Sequence, residues 1–521
     1  MCGILFVHAT RPERLAREDV ARALARQGFR GPDAEQLLGL RDGTIWMGHN
    51  RLAIVDPLPR SDQPFALDGG RWHIVFNGEI YNHAELRRKH RLDERVVLRT
   101  TSDTETLLAG YALMGEAFLD ELEGMYAFVI VDALSGEWIA ARDPLGIKPL
   151  HRVDTAWGTA FASEPAALAQ LAGSAVDAQS LREWRLVRRP APGHTFFVGV
   201  DEVQPGERMH SDGRRTRGWR WEPSGEELEQ GAFDALLARV VRDHEMSDVD
   251  NVALLSGGID SALIVALSRV ARTYSAGLPE SNEFDAAADT ARALGRACVP
   301  VSIADTSLAA RWRELARLRG EPLSVPNEAL IHAACSAMSP AEKVVLTGEG
   351  ADELMFGYDR IFAWAAQASA RGEPLDRDAF FRLYGYSDDL DPGPRLAAWI
   401  DKLARGKTVL EFVEDFFWQL HLPGLLRRMD FASMAAGKEA RVPFADRRLA
   451  RMCYRQRGEL KLDAGGAKRP LREMLSVRGL NGPLARAKVG FVARTAGHRQ
   501  ASRQQEYRVF QDLSLEALSW T

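Results

Sequence analysis

The sequence predicts two domains, an α+β layered sandwich followed by an α/β domain built on a parallel sheet. The chain has 521 residues, more than a single hydrophobic core usually serves. Short β-type segments broken by turns dominate the first part, whereas the second part alternates uniformly apolar strands with helical stretches. We place the first domain at 1–190, hairpin turns and a linker rich in proline, glycine and charge at 191–226, and the second domain at 227–521.

In the first domain, alternating apolar and polar residues predict antiparallel strands that pack as sheets, with helices against them. The strands are expected at 44–56, 71–82 and 125–143. The helices are expected at 18–28 and 102–115. These elements indicate an α+β layered domain.

In the second domain, four short segments are uniformly apolar and alternate with alanine-rich helical stretches. Strands that are buried on both faces and separated by helices are typical of a parallel sheet covered on two sides. The four strands are expected at 251–255, 273–278, 298–303 and 343–348. The last 150 residues of the chain are mainly helical by periodicity.

The composition argues against several classes of protein. A formal net charge of −5, with 67 basic residues spread among 72 acidic ones, offers no basic stripe for a nucleic-acid backbone. No apolar run is long enough to cross a bilayer, and the first ten residues lack the basic start and apolar core of a secretion signal. Four widely spaced cysteines without a CxxC pair fit a reducing compartment. We therefore expect a cytoplasmic protein that binds neither nucleic acid nor membranes.

The segment SGGIDS stands where an apolar strand turns into a helix, which is where open α/β sheets bind ligands. The adjacent Gly257 and Gly258 let the backbone approach an anion, and Ser256 and Ser261 add hydroxyl donors to the positive end of the helix. The segment lacks the GxxxxGK[ST] pattern of common nucleotide-hydrolysing loops, so transfer of a terminal phosphate is not the expected chemistry. Asp260 inside the loop favours phosphate binding with a cation over a purely structural turn.

A second acidic cluster, GEGADE, follows another apolar strand and contains Glu349, Asp352 and Glu353. In a parallel sheet, both clusters lie at the carboxyl ends of strands and can face the same crevice. Carboxylate oxygens together with phosphate oxygens are what Mg²⁺ prefers, so a magnesium site is expected there. The alternative is a helix N-terminus decorated with acids that suit its dipole.

Two sets of motifs resemble a known family. SGGIDS is similar to the loop of the ATP pyrophosphatase (PP-loop) enzymes, and LTGEGADELMFGY narrows the resemblance to asparagine synthetases and their relatives. Independently, the first domain resembles class II glutamine amidotransferases in eight ordered motifs, namely MCGI, RGPD, HNRLAIVD, FNGEIYNH, SDTE, LEGMYAFVIVD, RDPLGIKPL and FASE. The match runs from residue 1 to about 491. It implies a four-layer N-terminal-nucleophile (Ntn) hydrolase-type sandwich followed by a PP-loop synthetase domain.

Cys2 is the predicted nucleophile of the first domain. Removal of Met1 would make it the N-terminal residue, and its free α-amine could then accept the thiol proton. The resemblance implies that the thiolate attacks the side-chain amide of glutamine and releases ammonia and, through a thioester, glutamate. The alternative for a lone cysteine is a small buried hydrophobe, which position two beside Gly3 disfavours.

The resemblance also implies roles for the residues around glutamine. Asn77 and the backbone NH of Gly78 are expected to stabilise the oxyanion, because developing negative charge needs preorganised donors. Arg51 suits the α-carboxylate of glutamine, because a guanidinium can pair with a carboxylate through two hydrogen bonds. Glu79 and Asp103 suit its α-ammonium group.

In the second domain the resemblance implies that a carboxylate attacks the α-phosphate of ATP and that ammonia then displaces AMP. The predicted ATP-binding residues are Leu255, Ser256, Gly257, Gly258, Asp260, Ser261 and Gly348. Asp260 and Asp352 are assigned to Mg²⁺. Glu349 is expected to contact the intermediate or take the proton of the attacking amine. Lys468, in AKRPLREML, is expected to neutralise charge on the separating phosphates.

These observations predict a glutamine-hydrolysing, ATP-dependent amide-forming ligase. Aspartate is the first expected acceptor, which yields asparagine, glutamate, AMP and pyrophosphate, with ammonia channelled between the sites. The alternative is a relative that amidates another carboxylic acid in specialised metabolism or surface-sugar biosynthesis. A ring-closing relative would lack a nucleophile at position two, and a non-enzymatic scaffold would be expected to lose some catalytic residues. The expected partners are small molecules, and a homodimer is a possible assembly.

The segment EPLSVPNEALIHAAC at 321–335 bears on the acceptor. Asn327 and Glu328 are polar groups where the chain enters a predicted helix. They fit an N-cap and a first-turn acid. Alternatively, Glu328 binds a cationic group of the acceptor, in which case the acceptor is a larger or differently charged acid.

Overall fold

The computed structural model describes residues 2–219, 221–463, 466–486 and 503–520. Its strands are β1 (Cys2–Ala9), β2 (Ala34–Leu40), β3 (Ile45–Arg51), β4 (Phe65–Leu67), β5 (Trp72–Ile80), β6 (Gly124–Asp132), β7 (Trp138–Arg142), β8 (His151–Thr155), β9 (Gly158–Ala162), β10 (Val200–Glu202), β11 (Glu207–His210), β12 (Arg215–Arg217), β13 (Asp250–Leu254), β14 (Arg272–Gly277), β15 (Ala297–Ser302), β16 (Glu342–Leu346), β17 (Glu439–Arg441), β18 (Leu462–Asp463) and β19 (Gly466–Ala467).

The helices are α1 (Arg17–Arg26), α2 (His83–Lys89), α3 (Leu92–Arg95), α4 (Asp103–Met114), α5 (Glu116–Leu119), α6 (Pro165–Ala172), α7 (Ala178–Val187), α8 (Gln230–Asp243), α9 (Ile259–Leu267), α10 (Phe284–Ala293), α11 (Asp305–Arg319), α12 (Asn327–Ser336), α13 (Ala351–Leu354), α14 (Asp359–Ala370), α15 (Arg377–Tyr384), α16 (Gly393–Ala404), α17 (Val409–Phe416), α18 (Leu422–Met434), α19 (Arg447–Cys453), α20 (Gly458–Lys461), α21 (Arg469–Val477), α22 (Asn481–Ala485) and α23 (Arg503–Leu518).

The first domain stacks two six-stranded antiparallel sheets, ordered β10-β8-β9-β1-β3-β2 and β12-β11-β7-β6-β5-β4. Ile4 and Phe6 of β1 pack between the sheets with Val75 of β5, whereas Leu5 packs outward with Leu24 of α1. Helix α4 covers the outer face of the second sheet. Strand β1 is therefore buried on both faces, which explains its unbroken apolar run. The predicted four-layer sandwich is confirmed.

The observed strand ends differ from the predicted ones where the chain turns early. The expected strand at 125–143 is two strands, β6 and β7, joined by a turn. The expected strand at 44–56 ends at Arg51, because the following loop folds back onto that side chain. Strands β10, β11 and β12 lie within 191–226, the segment predicted as hairpin turns and linker, and they extend the two sheets at their edges.

The second domain is built on a five-stranded parallel sheet in the order β15-β14-β13-β16-β17, which confirms the predicted α/β class. Strands β13 and β16 are neighbours, with Ala253 paired to Leu346. The segments that follow these strands therefore begin side by side at one edge of the sheet. Both candidate clusters of the sequence are in these segments.

Helices α14 to α17 form an apolar cluster of their own, which continues through a π-helical turn at Phe417–His421 into α18. Helix α18 packs against α12 and β17 and so approaches the sheet. None of the helices in the described ranges is both long enough and apolar enough to cross a bilayer.

Candidate active sites

Cys2 opens strand β1, where it is opposite Arg51 of β3. Its backbone NH donates to Asn77 Oδ1 at 3.0 Å, and its carbonyl oxygen accepts from Arg30 Nε at 3.0 Å. The residue is 7% exposed. Burial raises the pKa of the Cys2 thiol, so the sulfur carries its proton at neutral pH. A base is therefore needed before it can attack.

Asn77 and Gly78 lie on β5 of the second sheet, where they pair with β6, and Asn77 contacts Cys2. Asn77 is completely buried, and its Nδ2 donor has no hydrogen-bond partner in the described part of the chain. A buried amide donor left unpaired costs free energy unless a ligand completes it. At Gly78, a Cβ would lie 2.1 Å from the carbonyl oxygen of Met125, so only glycine fits. The Asn77 amide therefore contacts Cys2 and still has a donor to offer an oxyanion.

Arg51 holds the loop that follows β3. Its guanidinium donates to the carbonyl oxygens of Leu58 at 2.8 Å and Asp56 at 2.7 Å, and it pairs with Asp62. The residue is 6% exposed. A glutamine carboxylate would therefore have to join or replace contacts that Arg51 already makes.

Glu79 and Asp103 form a buried acidic pair beside the same strand. Asp103 begins α4, and its Oδ2 accepts the backbone NH of Ile80 at 2.9 Å. Burial raises the pKa of Glu79, and the nearby charges of Glu439 and Asp103 raise it further. Burial also raises the pKa of Asp103. Two buried carboxylates that lack sufficient positive charge are suited to bind an ammonium group.

Arg441, at the end of β17 in the second domain, reaches this acidic pair. Its side chain is fully buried, with Nη2 3.5 Å from Glu79 Oε1. Its other donors bind within the second domain, to Glu439 at 2.6 Å and to the carbonyl oxygen of His244 at 2.8 Å. Sequence reasoning missed the contact with Glu79, because nothing local to either segment indicates it.

The phosphate loop is shaped by hydrogen bonds between its own residues. Ser256 Oγ accepts the backbone NH of Gly258 at 3.2 Å and lies 3.0 Å from Ser261 Oγ. Ser261 Oγ in turn accepts the backbone NH of Ser256 at 3.1 Å. A Cβ on Gly257 would lie 3.0 Å from Oε1 of Glu283, a residue that sequence reasoning did not single out. The carboxylate of Glu283 therefore lies against the loop.

Leu255 and Gly348 frame the loop in different ways. The Leu255 side chain is buried in the core, and its NH donates to the carbonyl oxygen of Tyr274 at 2.8 Å. A Cβ on Gly348 would lie 2.8 Å from the nitrogen of Ser261 and 3.0 Å from Asp260 Cβ. The acidic turn after β16 therefore packs directly on the phosphate loop.

Lys468 joins the two segments. Its Nζ lies 2.6 Å from Asp260 Oδ2 and 2.6 Å from Asp352 Oδ1. Burial alone would lower the pKa of Lys468, but the two carboxylates raise it above its ordinary value, so it remains a cation. Gly357 was missed by sequence reasoning, although a Cβ there would lie 1.8 Å from Asp352 Oδ1 and only glycine can fill the position.

The donor set beside the loop is compatible with Mg²⁺ in one binding mode. Within the described ranges, no group of three or more His, Cys, Asp or Glu residues is arranged to hold a metal. Mg²⁺ is commonly held by one or two carboxylates plus substrate phosphates. Asp260 and Asp352 match that mode, because both are partly exposed next to the loop.

Glu349 pairs with Arg428 of α18. Nη1 of Arg428 also donates to Asn327 Oδ1 at 3.1 Å. Burial raises the pKa of Glu349, although Arg428 acts in the opposite direction. Sequence reasoning missed Arg428, and the only local signal is its position next to Arg427 in a mainly apolar helix.

Glu328 has a structural role. It is completely buried, and its Oε1 accepts from Ser324 Oγ at 2.7 Å and from the backbone NH of Val325 at 3.2 Å. Its Oε2 accepts from Arg319 at 3.4 Å. These bonds hold the turn before α12. The alternative in which Glu328 binds a cationic group of the acceptor is therefore wrong, and Asn327 makes no side-chain cap.

A buried ion network connects the two domains. Arg30 lies 2.6 Å from Glu164 and 2.9 Å from Asp430 of α18, and Lys148 lies 3.4 Å from Asp430. Arg427, also on α18, pairs with Glu164. Burial opposes ionisation of Glu164, but Arg427 and Arg30 lower its pKa to about 2. Helix α18 thus contacts both the surroundings of Cys2 and the surroundings of Glu349.

Comparison with known proteins gives two family matches. Residues 1–221 match the glutamine amidotransferase domain and residues 232–519 match asparagine synthase. A putative glutamine-hydrolysing asparagine synthetase of Mycobacterium tuberculosis (strain ATCC 25618 / H37Rv) is 33% identical over 69% of this chain and 60% of its own length. Asparagine synthetase 1 of Bacillus subtilis (strain 168) is 30% identical over 79% of this chain and 65% of its own length.

Another relative, asparagine synthetase 3 of Bacillus subtilis (strain 168), is 28% identical over 91% of this chain and 84% of its own length. The chain thus spans only about three fifths of the length of the mycobacterial relative, but most of the length of this one. The asparagine synthase match alone covers more than half of the chain. The chain therefore belongs to the asparagine synthase family, with a glutamine amidotransferase domain before the synthase domain.

Proposed function

We propose that this chain is a glutamine-hydrolysing, ATP-dependent amide-forming ligase that makes asparagine from aspartate. The observation that carries the proposal is the position of Lys468, which binds one aspartate of the phosphate loop and one of the acidic turn. One cation thereby joins the two segments at the carboxyl ends of adjacent strands, which suits the separation of AMP from pyrophosphate. The amidotransferase domain supports glutamine as the nitrogen donor.

In the first domain, we expect Cys2 to be the nucleophile after removal of Met1. Its nitrogen already donates to Asn77 Oδ1, so the free α-amine would keep that bond and retain a lone pair for the thiol proton. The sulfur then attacks the amide carbon of glutamine, and Asn77 Nδ2 donates to the oxygen that becomes negative. Ammonia leaves, and water hydrolyses the thioester to glutamate.

Three charged residues would orient glutamine in that site. Glu79 and Asp103 would bind its α-ammonium group, which supplies the positive charge that the buried pair lacks. Arg51 would bind the α-carboxylate of glutamine and keep some of its hydrogen bonds to the loop after β3. The proposal thus assigns a substrate group to each polar side chain at the site.

In the second domain, the acceptor carboxylate attacks the α-phosphate of ATP and pyrophosphate leaves. The backbone NH groups at 256–258 and the hydroxyl of Ser261 would hold the pyrophosphate, with Lys468 offsetting its charge. Asp260 and Asp352 would hold Mg²⁺, which supplies further charge neutralisation on the phosphates when bound. Ammonia then attacks the acyl carbon, AMP leaves, and the Glu349 carboxylate takes the proton.

A second candidate function differs only in the acceptor, which would be another carboxylic acid of specialised metabolism or surface-sugar biosynthesis. It is favoured by the hydrogen bond between Arg428 and Asn327, because this bond places two further polar side chains beside Glu349. The chemistry in both domains would be unchanged.

The test is a screen of carboxylic acids for pyrophosphate release that depends on ATP and on either glutamine or ammonium. We expect aspartate to give saturable release of AMP and pyrophosphate together with asparagine. Release of ADP and orthophosphate as primary products would overturn the adenylation mechanism. Another acid that succeeds where aspartate fails would establish the second candidate function.

A further inference from the structure

Arg428 is a nearly buried arginine whose hydrogen-bonding capacity is only partly used. It is 6% exposed, and its two terminal nitrogens donate to Glu349 and to Asn327 Oδ1. Its Nε has no hydrogen-bond partner among the residues described. A guanidinium carries five N–H donors and is rarely buried with so few partners.

The carboxylate that this guanidinium binds, Glu349, belongs to the turn that packs on the phosphate loop. Glu349 directly follows Gly348, which packs on Asp260 and Ser261 so tightly that a Cβ would lie 2.8 Å from the nitrogen of Ser261. Arg428 is therefore linked through Glu349 to the turn that borders the phosphate loop.

The neighbouring Arg427, in the same helix, is an arginine whose charge is fully paired with carboxylates. It binds two carboxylates, those of Glu164 and Glu321, and both of them are almost completely buried. The pKa of Glu164 is lowered to about 2 despite its burial, because Arg427 and Arg30 hold its charge. Glu349, in contrast, has a raised pKa because burial outweighs its contact with Arg428. The positive charge of Arg428 is thus only partly balanced by carboxylates, whereas that of Arg427 is fully balanced.

We propose that Arg428 is a specificity-determining residue of the acceptor site and that its guanidinium binds a second anionic group of the carboxylic acid that is adenylated. The inference rests on the proposed function, which it deepens by naming the acceptor class. Acids with two carboxylates are substrates, and the matched acids with one carboxylate are poor ones. Asn327 Oδ1 fixes the guanidinium in its plane and leaves the remaining donors for the substrate carboxylate.

The experiment compares pairs of acids that differ only in the second carboxylate, namely aspartate with 3-aminopropanoate and glutamate with 4-aminobutanoate. Pyrophosphate release is measured with ammonium as nitrogen source, so that the first domain is not needed. In Arg428→Gln, we expect KM for the preferred two-carboxylate acid to rise about 10- to 100-fold. We expect KM for its one-carboxylate partner to change by less than about twofold, because the lost interaction is absent there.

Two further variants act as controls. Arg428→Lys keeps the positive charge but removes the planar guanidinium donors. Its KM for the two-carboxylate acid should lie between the values of the unsubstituted chain and of Arg428→Gln. Arg427→Gln removes the adjacent buried arginine, and we expect it to leave both acceptor KM values unchanged under the same ammonium conditions. Thermal melts of each variant report whether it is folded.

An equal rise of KM for both acids of a pair, or a preference of the unsubstituted chain for the one-carboxylate acids, would overturn the inference. Calorimetric titration of the same acids, with an ATP analogue that has a methylene group between its α- and β-phosphates, separates the inference from the proposed function. Binding of the two-carboxylate acid that is lost in Arg428→Gln, without any pyrophosphate release, would overturn the proposed function and support the inference. Binding that is the same in both proteins would overturn the inference.

Discussion

Around Cys2, two buried polar atoms, Asn77 Nδ2 and Glu79 Oε2, have no hydrogen-bond partner among the described residues. Around Lys468, the charged groups are instead bound to one another, Lys468 to Asp260 and Asp352. The first site therefore already presents the polar atoms that a substrate completes. The second must exchange internal ion pairs for contacts with phosphates. The comparison indicates that the site around Cys2 is preorganised, whereas the phosphate side of the second site is rearranged by its ligands.

The largest effect should follow from Cys2→Ala. It removes the proposed nucleophile of the first site and nothing from the second site. Glutamine-supported amide formation should fall to background, whereas synthesis with added ammonium salts should continue at the rate of the unsubstituted chain. Both rates are measured by pyrophosphate release and amide formation. Equal loss of both activities in a folded variant would break the separation of the two sites.

Lys468→Ala should have the next largest effect. Removal of one donor beside developing negative charge typically costs about 10²- to 10³-fold in rate, and we expect that loss in ammonium-supported synthesis. Glutamine hydrolysis should be retained. The matched control is Lys461→Ala, which removes another buried lysine, 2.8 Å from Glu414. That variant should lose stability without a comparable loss of synthesis, and normal synthesis in Lys468→Ala would remove Lys468 from the site.

Glu79→Gln should give a moderate and pH-dependent effect. Because burial and the charges of Glu439 and Asp103 raise the pKa of Glu79, the folded chain holds a proton that the unfolded chain loses above about pH 4.5. The free energy of unfolding therefore falls as pH rises from that value through the raised pKa. Glu79→Gln should reduce this fall by about 1 kcal/mol while it weakens glutamine binding.

Thermal melts from pH 5 to pH 8 test this expectation. Glu164 supplies the opposite case, because its pKa is lowered to about 2 in the folded chain. The stability that it contributes is present above the ordinary pKa and lost as pH falls. A pH profile of Glu79→Gln that matches that of the unsubstituted chain would show that Glu79 does not carry the buried proton.

The smallest effect on activity is expected for Glu328→Gln. Glu328 holds the turn before α12 through Ser324 and Val325 and does not contact the acidic turn. The substitution should lower the free energy of unfolding by about 1–2 kcal/mol, because hydrogen bonds to a charged group are lost. KM for the acceptor, measured by pyrophosphate release, should stay within about twofold. A large change in KM would return Glu328 to the acceptor site.

The sequence predicted the fold class and the candidate site residues that belong to short local motifs. Strands β13 and β16 could be recognised because they are uniformly apolar, and the parallel order then placed Asp260 and Asp352 at one edge. Arg428 could not be found in this way. Arg427 and Arg428 are adjacent, and successive residues of a helix point about 100° apart, so only their tertiary partners distinguish them.

The contacts between domains were also beyond sequence reasoning. Arg441 meets Glu79 across the domain boundary, and Phe29 packs edge-on against Phe431 of α18 at 5.6 Å between ring centroids. The partner of Phe29 is set by the packing of two distant segments, and nothing in the sequence of either segment indicates it.

Helix α18 carries both the arginine that binds Glu349 and the arginine that binds Glu164 on consecutive positions. The proposed acceptor recognition and the contact between the domains therefore depend on one short segment of the chain. A chimaera that takes this helix from a relative to change the acceptor would import a foreign docking surface with it. Such a graft should succeed only when the matching segments of the first domain, around Arg30 and Glu164, are transferred in the same exchange.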